Sequence, residues 1–226
     1  MELAKQHIDV GLFTNNTEAM LRFWQDEVGL PFEETLPLGN GILQHRHGMN
    51  GSVLKLNTVR DPMRPQPQAG YRELLVARDS VTSPRTLVDP DGNRILLVPR
   101  GHDGVTSIGV RLAVRDEAAM HRFLADALGL ALAGANAYRC GDSLLTFVAD
   151  ASAEAVGPMT AQGYRYITVQ VRDVDAEHPG IVARGGAEGR PPITLGTTAR
   201  ISFVRDPDGN WIEVSQRASL TGPLSA

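Results

Sequence analysis

The chain has 226 residues, enough for two domains of about 100 residues that each bury a core. Its net charge of −4 and 21% charged residues exclude a strongly basic surface for nucleic acid or lipid headgroups, and 42% hydrophobic residues are ordinary for a globular protein. No apolar run approaches a membrane span, the opening residues form no signal core, and the lone Cys140 excludes an intrachain disulfide, so a cytoplasmic protein is expected.

His7 to Thr14 alternates Ile8, Val10 and Leu12 with a second face and predicts a strand. Asn16-Thr17 offers an N-cap, and Met20, Phe23, Trp24 and Val28 recur at helical spacing until Gly29. Strands are expected over 32–37, 41–47 and 52–58, which makes the first unit β-α-β-β-β. The Pro-rich stretch after Val59 reads as a linker. Tyr71 to Ala77 then predicts a strand, and residues 84–99 a hairpin around Pro90-Asp91-Gly92-Asn93. This second unit lacks its helix.

From Ile108 the chain nearly repeats itself. Ile8, Val10, Leu12, Met20, Arg22, Phe23, Asp26, Gly29 and Leu30 recur 100 positions on, as Ile108, Val110, Leu112, Met120, Arg122, Phe123, Asp126, Gly129 and Leu130. A fourth unit starts at Tyr164 to Val171, followed by a helix near 176–184 and strands at 198–205 and 210–216. Two motifs also return: Gly70-Tyr71-Arg72 as Gly163-Tyr164-Arg165, and Asp89-Pro-Asp-Gly-Asn93 as Asp206-Pro-Asp-Gly-Asn210. The expected class is α+β, with tandem βαβββ units forming two cupped mixed sheets with flanking helices. The expected domains are a pair of units over 1–100, a second pair over 105–217, and a tail over 218–226.

Paired βαβββ units closing on D-P-D-G-N-x-I-E-V, together with the Gly129-Leu130 helix end, resemble the vicinal oxygen chelate superfamily. It includes glyoxalase I, extradiol dioxygenases, methylmalonyl-CoA epimerase and fosfomycin-resistance proteins. The resemblance implies cups that hold small oxygenated molecules, often on a divalent metal bound by first-strand and last-strand side chains. Carried over, those positions are His7 and Lys55 in the first unit, and Glu73 and Leu96 in the second. In the third they are Ser107 and Thr146, and in the fourth Tyr166 and Glu213. If neighbouring units pair, His7, Lys55 and Glu73 share a cup; if the outer units pair, His7 and Glu213 do.

The residues themselves suggest further roles. His45 and His47 lie two apart in a strand and share one face. With His7 and Glu73 they would form a set suited to Fe, Mn, Zn or Ni, so the metal candidates are His7, His47, Glu73 and Glu213. Lys55 argues against a metal, because an ammonium beside a dication is repelled. It suits an anion site or acid–base catalysis, and the catalytic candidates are Lys55, His45 and Tyr166. Arg46, Asn50, Ser52, Trp211 and Arg200 are candidate substrate contacts. Two readings follow. One is a lyase, isomerase or ring-cleaving oxygenase using a divalent metal and no nucleotide cofactor. The other is a metal-free protein that sequesters a small molecule or works through Lys55. The sheet left uncovered by the missing helix could be buried in a homodimer.

Overall fold

The computed structural model describes residues 1–224, so the end of the expected tail, residues 225–226, lies outside the described residues. The first unit comprises β1 (Asp9–Thr14), α1 (Thr17–Arg22), β2 (Phe32–Gly39), β3 (Ile42–Met49) and β4 (Ser52–Val59). The second has only strands: β5 (Tyr71–Arg78), β6 (Arg85–Val88) and β7 (Arg94–Pro99). The third comprises β8 (Ile108–Val114), α2 (Glu117–Arg122), β9 (Ala131–Gly134), β10 (Ala137–Cys140) and β11 (Ser143–Ala149). The fourth comprises β12 (Gly163–Gln170), α3 (Val174–Ala183), β13 (Ala187–Leu195), β14 (Ala199–Arg205) and β15 (Trp211–Arg217). A helical turn, α4 (Ala218–Thr221), opens the segment expected as tail. The α+β class and the missing second helix are as the sequence predicts.

Both α1 and α2 run on into a π-helical turn, Phe23–Glu27 and Phe123–Ala127. The wider turn lets consecutive residues, Phe23 with Trp24 and Phe123 with Leu124, all enter the core. The two helix starts differ: Asp116 accepts from Ala119 N at 2.9 Å, whereas the Asn16 side chain makes no cap bond.

The outer units pair with each other, and so do the inner ones. One sheet runs β13-β14-β15-β12-β1-β4-β3-β2 and the other β6-β7-β5-β8-β11-β10-β9. Each sheet is joined at its centre by an antiparallel pair, β1 with β12 and β5 with β8. The sheets therefore do not follow the expected division into paired units over 1–100 and 105–217, since each draws strands from both halves.

The two duplicated motifs tie the two sheets to each other, because each is the receptor of the other. Gly70 N donates to Asn210 Oδ1 at 2.7 Å, and the Tyr71 hydroxyl donates to the Trp211 carbonyl at 2.9 Å. In the opposite sense the Tyr164 hydroxyl donates to the Arg94 carbonyl at 3.2 Å, with Gly163 packed on Asn93. Within each turn an aspartate organises the loop. Asp206 accepts from Asn210 N and Nδ2 at 2.8 and 2.7 Å, and Asp89 binds Asn93 in the same way. Both tyrosines are only 2% exposed, and burial holds their phenols far above the ordinary range, so they act as donors. Tyr71→Phe and Tyr164→Phe should each cost about 1–2 kcal/mol in urea unfolding, the price of a lost buried hydrogen bond. A silent pair would remove the reciprocal clasp from the account of sheet pairing.

Candidate functional site

The eight-stranded sheet curls around a cavity of about 520 Å³ whose floor comes from β1, β4, β12 and β15. Its walls come from β2 and β3 on one side and from β13 and β14 on the other. Period-two alternation decides what enters. Leu54 and Leu56 turn to the helices and core, while Lys55 and Asn57 turn into the cup. Ile212 and Val214 likewise pack in the core, and Glu213 and Ser215 line the cavity.

Register places two residue pairs at the centre, offset by two positions across the β1–β12 seam, where Gly11 faces Tyr166 and Asp9 faces Thr168. Gly11 of β1 lies beside Lys55 of β4, and Thr168 of β12 beside Glu213 of β15. Lys55 Nζ donates to Glu213 Oε2 and to Thr168 Oγ1, both at 2.7 Å, and Thr168 Oγ1 donates to the same carboxylate oxygen at 2.7 Å. Lys55 is 3% exposed and Glu213 8%, so the pair is screened little by solvent. Gly11 has no side chain because Tyr166 fills the space: a Cβ there would lie 2.1 Å from the phenol ring. Lys55 Nζ sits 5.5 Å from the centroid of that ring.

A neutral cluster flanks the ion pair. Asn57 Nδ2 donates to the backbone carbonyls of Leu12 and Lys55 at 3.0 and 3.1 Å, which fixes how its amide points. Arg46 Nη1 donates to Gln44 Oε1 at 3.2 Å and fixes the second amide. Both amides then donate to the Tyr166 hydroxyl, from Gln44 Nε2 at 3.4 Å and from Asn57 Nδ2 at 3.3 Å. The Tyr166 hydroxyl meets no acceptor among the described residues, and the residue lines the cavity wall. Burial, with Glu213 adding to it, raises the phenol far above its ordinary range, so Tyr166 remains a donor.

The cup therefore unites Lys55, Tyr166 and Glu213 from the sequence expectation and leaves out the other metal candidates. His7 precedes β1 and lies by the β3–β4 turn, with Nδ1 3.5 Å from Ser107 Oγ and Nε2 3.7 Å from Asp142 Oδ2. That trio does not form a nucleophilic relay, because Ser107 Oγ donates to the Asn50 carbonyl at 2.7 Å. Glu73 belongs to the other sheet, held by Arg94 and Arg111. His45 and His47 do share a face, but it is the face away from the cavity. They lie opposite Leu56 and Leu54, while Gln44 and Arg46 turn inward. His45 bridges Thr35 Oγ1 and Thr58 Oγ1 at 2.8 and 3.2 Å. His47 is fully buried beside Phe32, its Nε2 3.1 Å from Gln25 Nε2.

The expected substrate contacts also divide. Trp211 backs the cup wall, with Nε1 donating to the Gly157 carbonyl at 3.1 Å and its ring edge-on to Phe203. Arg46 is buried and pairs with Glu34 at 3.3 Å. Asn50 donates to the Ala77 and Ser107 carbonyls at 2.7 and 3.0 Å and ties the β3–β4 turn to the second sheet. Ser52 is buried at the start of β4 and does not line the cavity. Arg200 points to α3, where Asp175 accepts from its Nε and Nη2 at 2.6 and 2.7 Å. Sequence reasoning missed Gln44, Asn57, Thr168, Phe203 and Arg190. For Asn57 and Gln44 a signal existed, since both lie two positions from residues assigned to the cup face.

The superfamily's metal positions can be tested against this donor set. Of the positions assigned to the first and fourth units, His7 lies outside the cup, and Lys55, Tyr166 and Glu213 supply an ammonium, a phenol and one carboxylate already committed to the ammonium. A lysine bound at 2.7 Å to the sole carboxylate repels a dication by several kcal/mol, so the residues do not fit a divalent metal. Among the described residues no group of three or more His, Cys, Asp or Glu could hold a metal ion. Among the described residues no helix is long and apolar enough to cross a membrane.

Comparison with known proteins agrees with the geometry. Residues 106–214, just under half of the chain, match the family described as the Glyoxalase/Bleomycin resistance protein/Dioxygenase superfamily. Among solved structures it is similar to glyoxalase I from Zea mays, with a TM-score of 0.74 at 15% identity over 93% of this chain and 92% of that one. It is also similar to a Bacillus subtilis protein labelled a candidate dioxygenase, with a TM-score of 0.68 at 13% identity over 96% and 86% of the two chains. At these identities the likeness is one of fold. No curated protein sequence matches the chain.

Two predictions follow from the site's electrostatics. Burial, with His45 adding to it, lowers the His47 pKa from 6.5 to about 4. Between those values the unfolded chain takes up a proton that the folded protein refuses. Stability is therefore full above pH 6.5 and falls as pH drops toward 4, by roughly 3 kcal/mol from this group. His47→Gln should flatten that acid slope in denaturant titrations, and an unchanged slope would clear His47 of it. Lys55→Met should cost about 3–5 kcal/mol by stranding the Glu213 carboxylate, and Lys55→Met/Glu213→Leu should recover much of the loss. Equal stability of the two variants would show that the pair is not coupled.

Proposed function

We propose that the protein binds a small organic molecule in the cup of the eight-stranded sheet, with the Lys55 ammonium in the role that a metal cation has elsewhere in the superfamily. The observation that carries this reading is the Lys55–Glu213–Thr168 triad at the centre of the cup, where first-strand and last-strand positions converge. A fixed ammonium presents positive charge to a ligand oxygen without a coordination sphere, and the Tyr166 hydroxyl adds a second donor close by. The aromatic and aliphatic walls supply the apolar burial that a ligand of this size needs.

An enzymatic version of this reading rests on the same pair. Lys55 and Glu213 share a hydrogen bond, so the amine left when the ammonium gives its proton to a substrate stays in place to take a proton back from that substrate. Binding is common to both versions, and turnover separates them.

Elemental analysis after dialysis against Zn²⁺, Ni²⁺, Mn²⁺ or anaerobic Fe²⁺ should find well below one metal per chain. Naphthalene-2-carboxamide, a neutral probe, should bind with the same affinity with and without a chelator, and Tyr166→Phe should weaken it about five- to tenfold. One tightly held metal per chain, lost in Glu213→Gln, would overturn the reading.

A further inference from the structure

We propose that the ligand of this cup is an organic acid, with an apolar body lying in the cup and its carboxylate taken by Arg190; the inference rests on the cup being the binding site. Charge is the first argument. The charged residues lining the cavity are Lys55, Glu213, Arg190 and Arg217. Lys55 and Glu213 neutralise each other, so the walls carry two cations and no further acid. A neutral ligand would leave that field unanswered, whereas an anion completes it.

Arg190 has the geometry of a receptor. Its guanidinium carbon lies 5.6 Å from the Phe203 ring centroid and 5.7 Å from that of Trp211. Aromatic stacking uses the flat faces of a guanidinium and leaves its N–H edge available for a bidentate carboxylate. Among the described residues no acceptor meets that edge, since Arg190 has no side-chain hydrogen bond or ion pair. Arg46 is committed to Glu34, Arg200 to Asp175, and Arg94 and Arg111 to Glu73; Arg217, at the end of β15, also lacks a side-chain partner among the described residues but has no aromatic ring beneath it.

Backbone irregularity aims the side chain. The register of β13 against β14 shifts on both sides of Arg190, between Glu188 and Arg190 and between Arg190 and Ile193. Such bulges redirect side chains, and Pro191-Pro192 stiffen the strand just beyond. Opposite this anchor, Leu36 and Leu38 of β2 face the cavity across from Ile201 and Phe203 of β14, an apolar slot suited to a flat or branched hydrocarbon.

The test is calorimetric titration of the whole protein with two matched probes, 2-naphthoate and naphthalene-2-carboxamide. Wild type should bind the acid about tenfold or more tightly than the amide, and added salt should narrow the gap. Arg190→Met should remove the preference and leave amide affinity and melting temperature unchanged. Arg200→Met, on the outer face, should leave both affinities as they are. Equal binding of acid and amide by wild type, with Tyr166→Phe weakening both, would overturn the acid preference and leave the cup as the site. Failure of both probes to bind would overturn both readings.

Discussion

The architecture depends on a reciprocal clasp between two copies of one structural phrase. Tyr71 reaches the carbonyl just beyond the fourth unit's Asp-Pro-Asp-Gly-Asn turn, and Tyr164 reaches the carbonyl just beyond the second unit's. A buried hydroxyl that cannot ionise must donate to something, and in each sheet the satisfying carbonyl lies on the other sheet. The second and fourth units are thereby locked across the molecule. Unit one pairs with four and two with three, and the cavity takes its contents from the chain's two ends.

The pairing of β1 with β12 is why Lys55 and Glu213 meet although 158 positions separate them in the chain. A buried ion pair is weak support for stability, because desolvating both charges offsets most of their attraction. Its persistence at the centre of the cup is better understood through what it leaves there: a fixed ammonium, a hydroxyl and a phenol, all directed at one space. Gly11 belongs to the same arrangement. Any side chain at that position would displace Tyr166, and with it the ordered amides of Gln44 and Asn57.

Much of the fold was legible in the sequence because local periodicity and duplication speak directly about elements. The strand expected over Tyr71 to Ala77 forms as Tyr71–Arg78, and the second unit does lack a helix. Lys55 was legible too, through the parity of Leu54 and Leu56. Parity says which residues share a face but not which face meets the cavity. His45 and His47, correctly placed together, therefore turned out to lie beneath α1 and β2 rather than in the cup. Register was the second barrier: the residue beside Lys55 is Gly11, four positions after His7. The strand β13 escaped notice because Pro191-Pro192 reads as loop. A sheet edge tolerates proline, since the outward N–H needs no partner there, and Arg190 went unseen with its strand.

The second cup shows how one scaffold acquires one site. In the seven-stranded sheet, register puts Leu75 beside Leu96 and Arg111 beside Thr146, the counterparts of the four residues around Lys55. Two leucines there cannot pair a charge. Leu75 instead packs with Ala77, Val98, Leu144 and Val105, with Leu96 against them, in a small apolar cluster apart from the main core. Val105 comes from the connection between the two halves, which turns back through a left-handed Gly101 to lay that side chain on this cluster. The connection that joins the halves thus packs on the second sheet beside the Glu73–Arg94–Arg111 cluster, whereas the cavity of the first sheet keeps the Lys55–Glu213 pair at its centre.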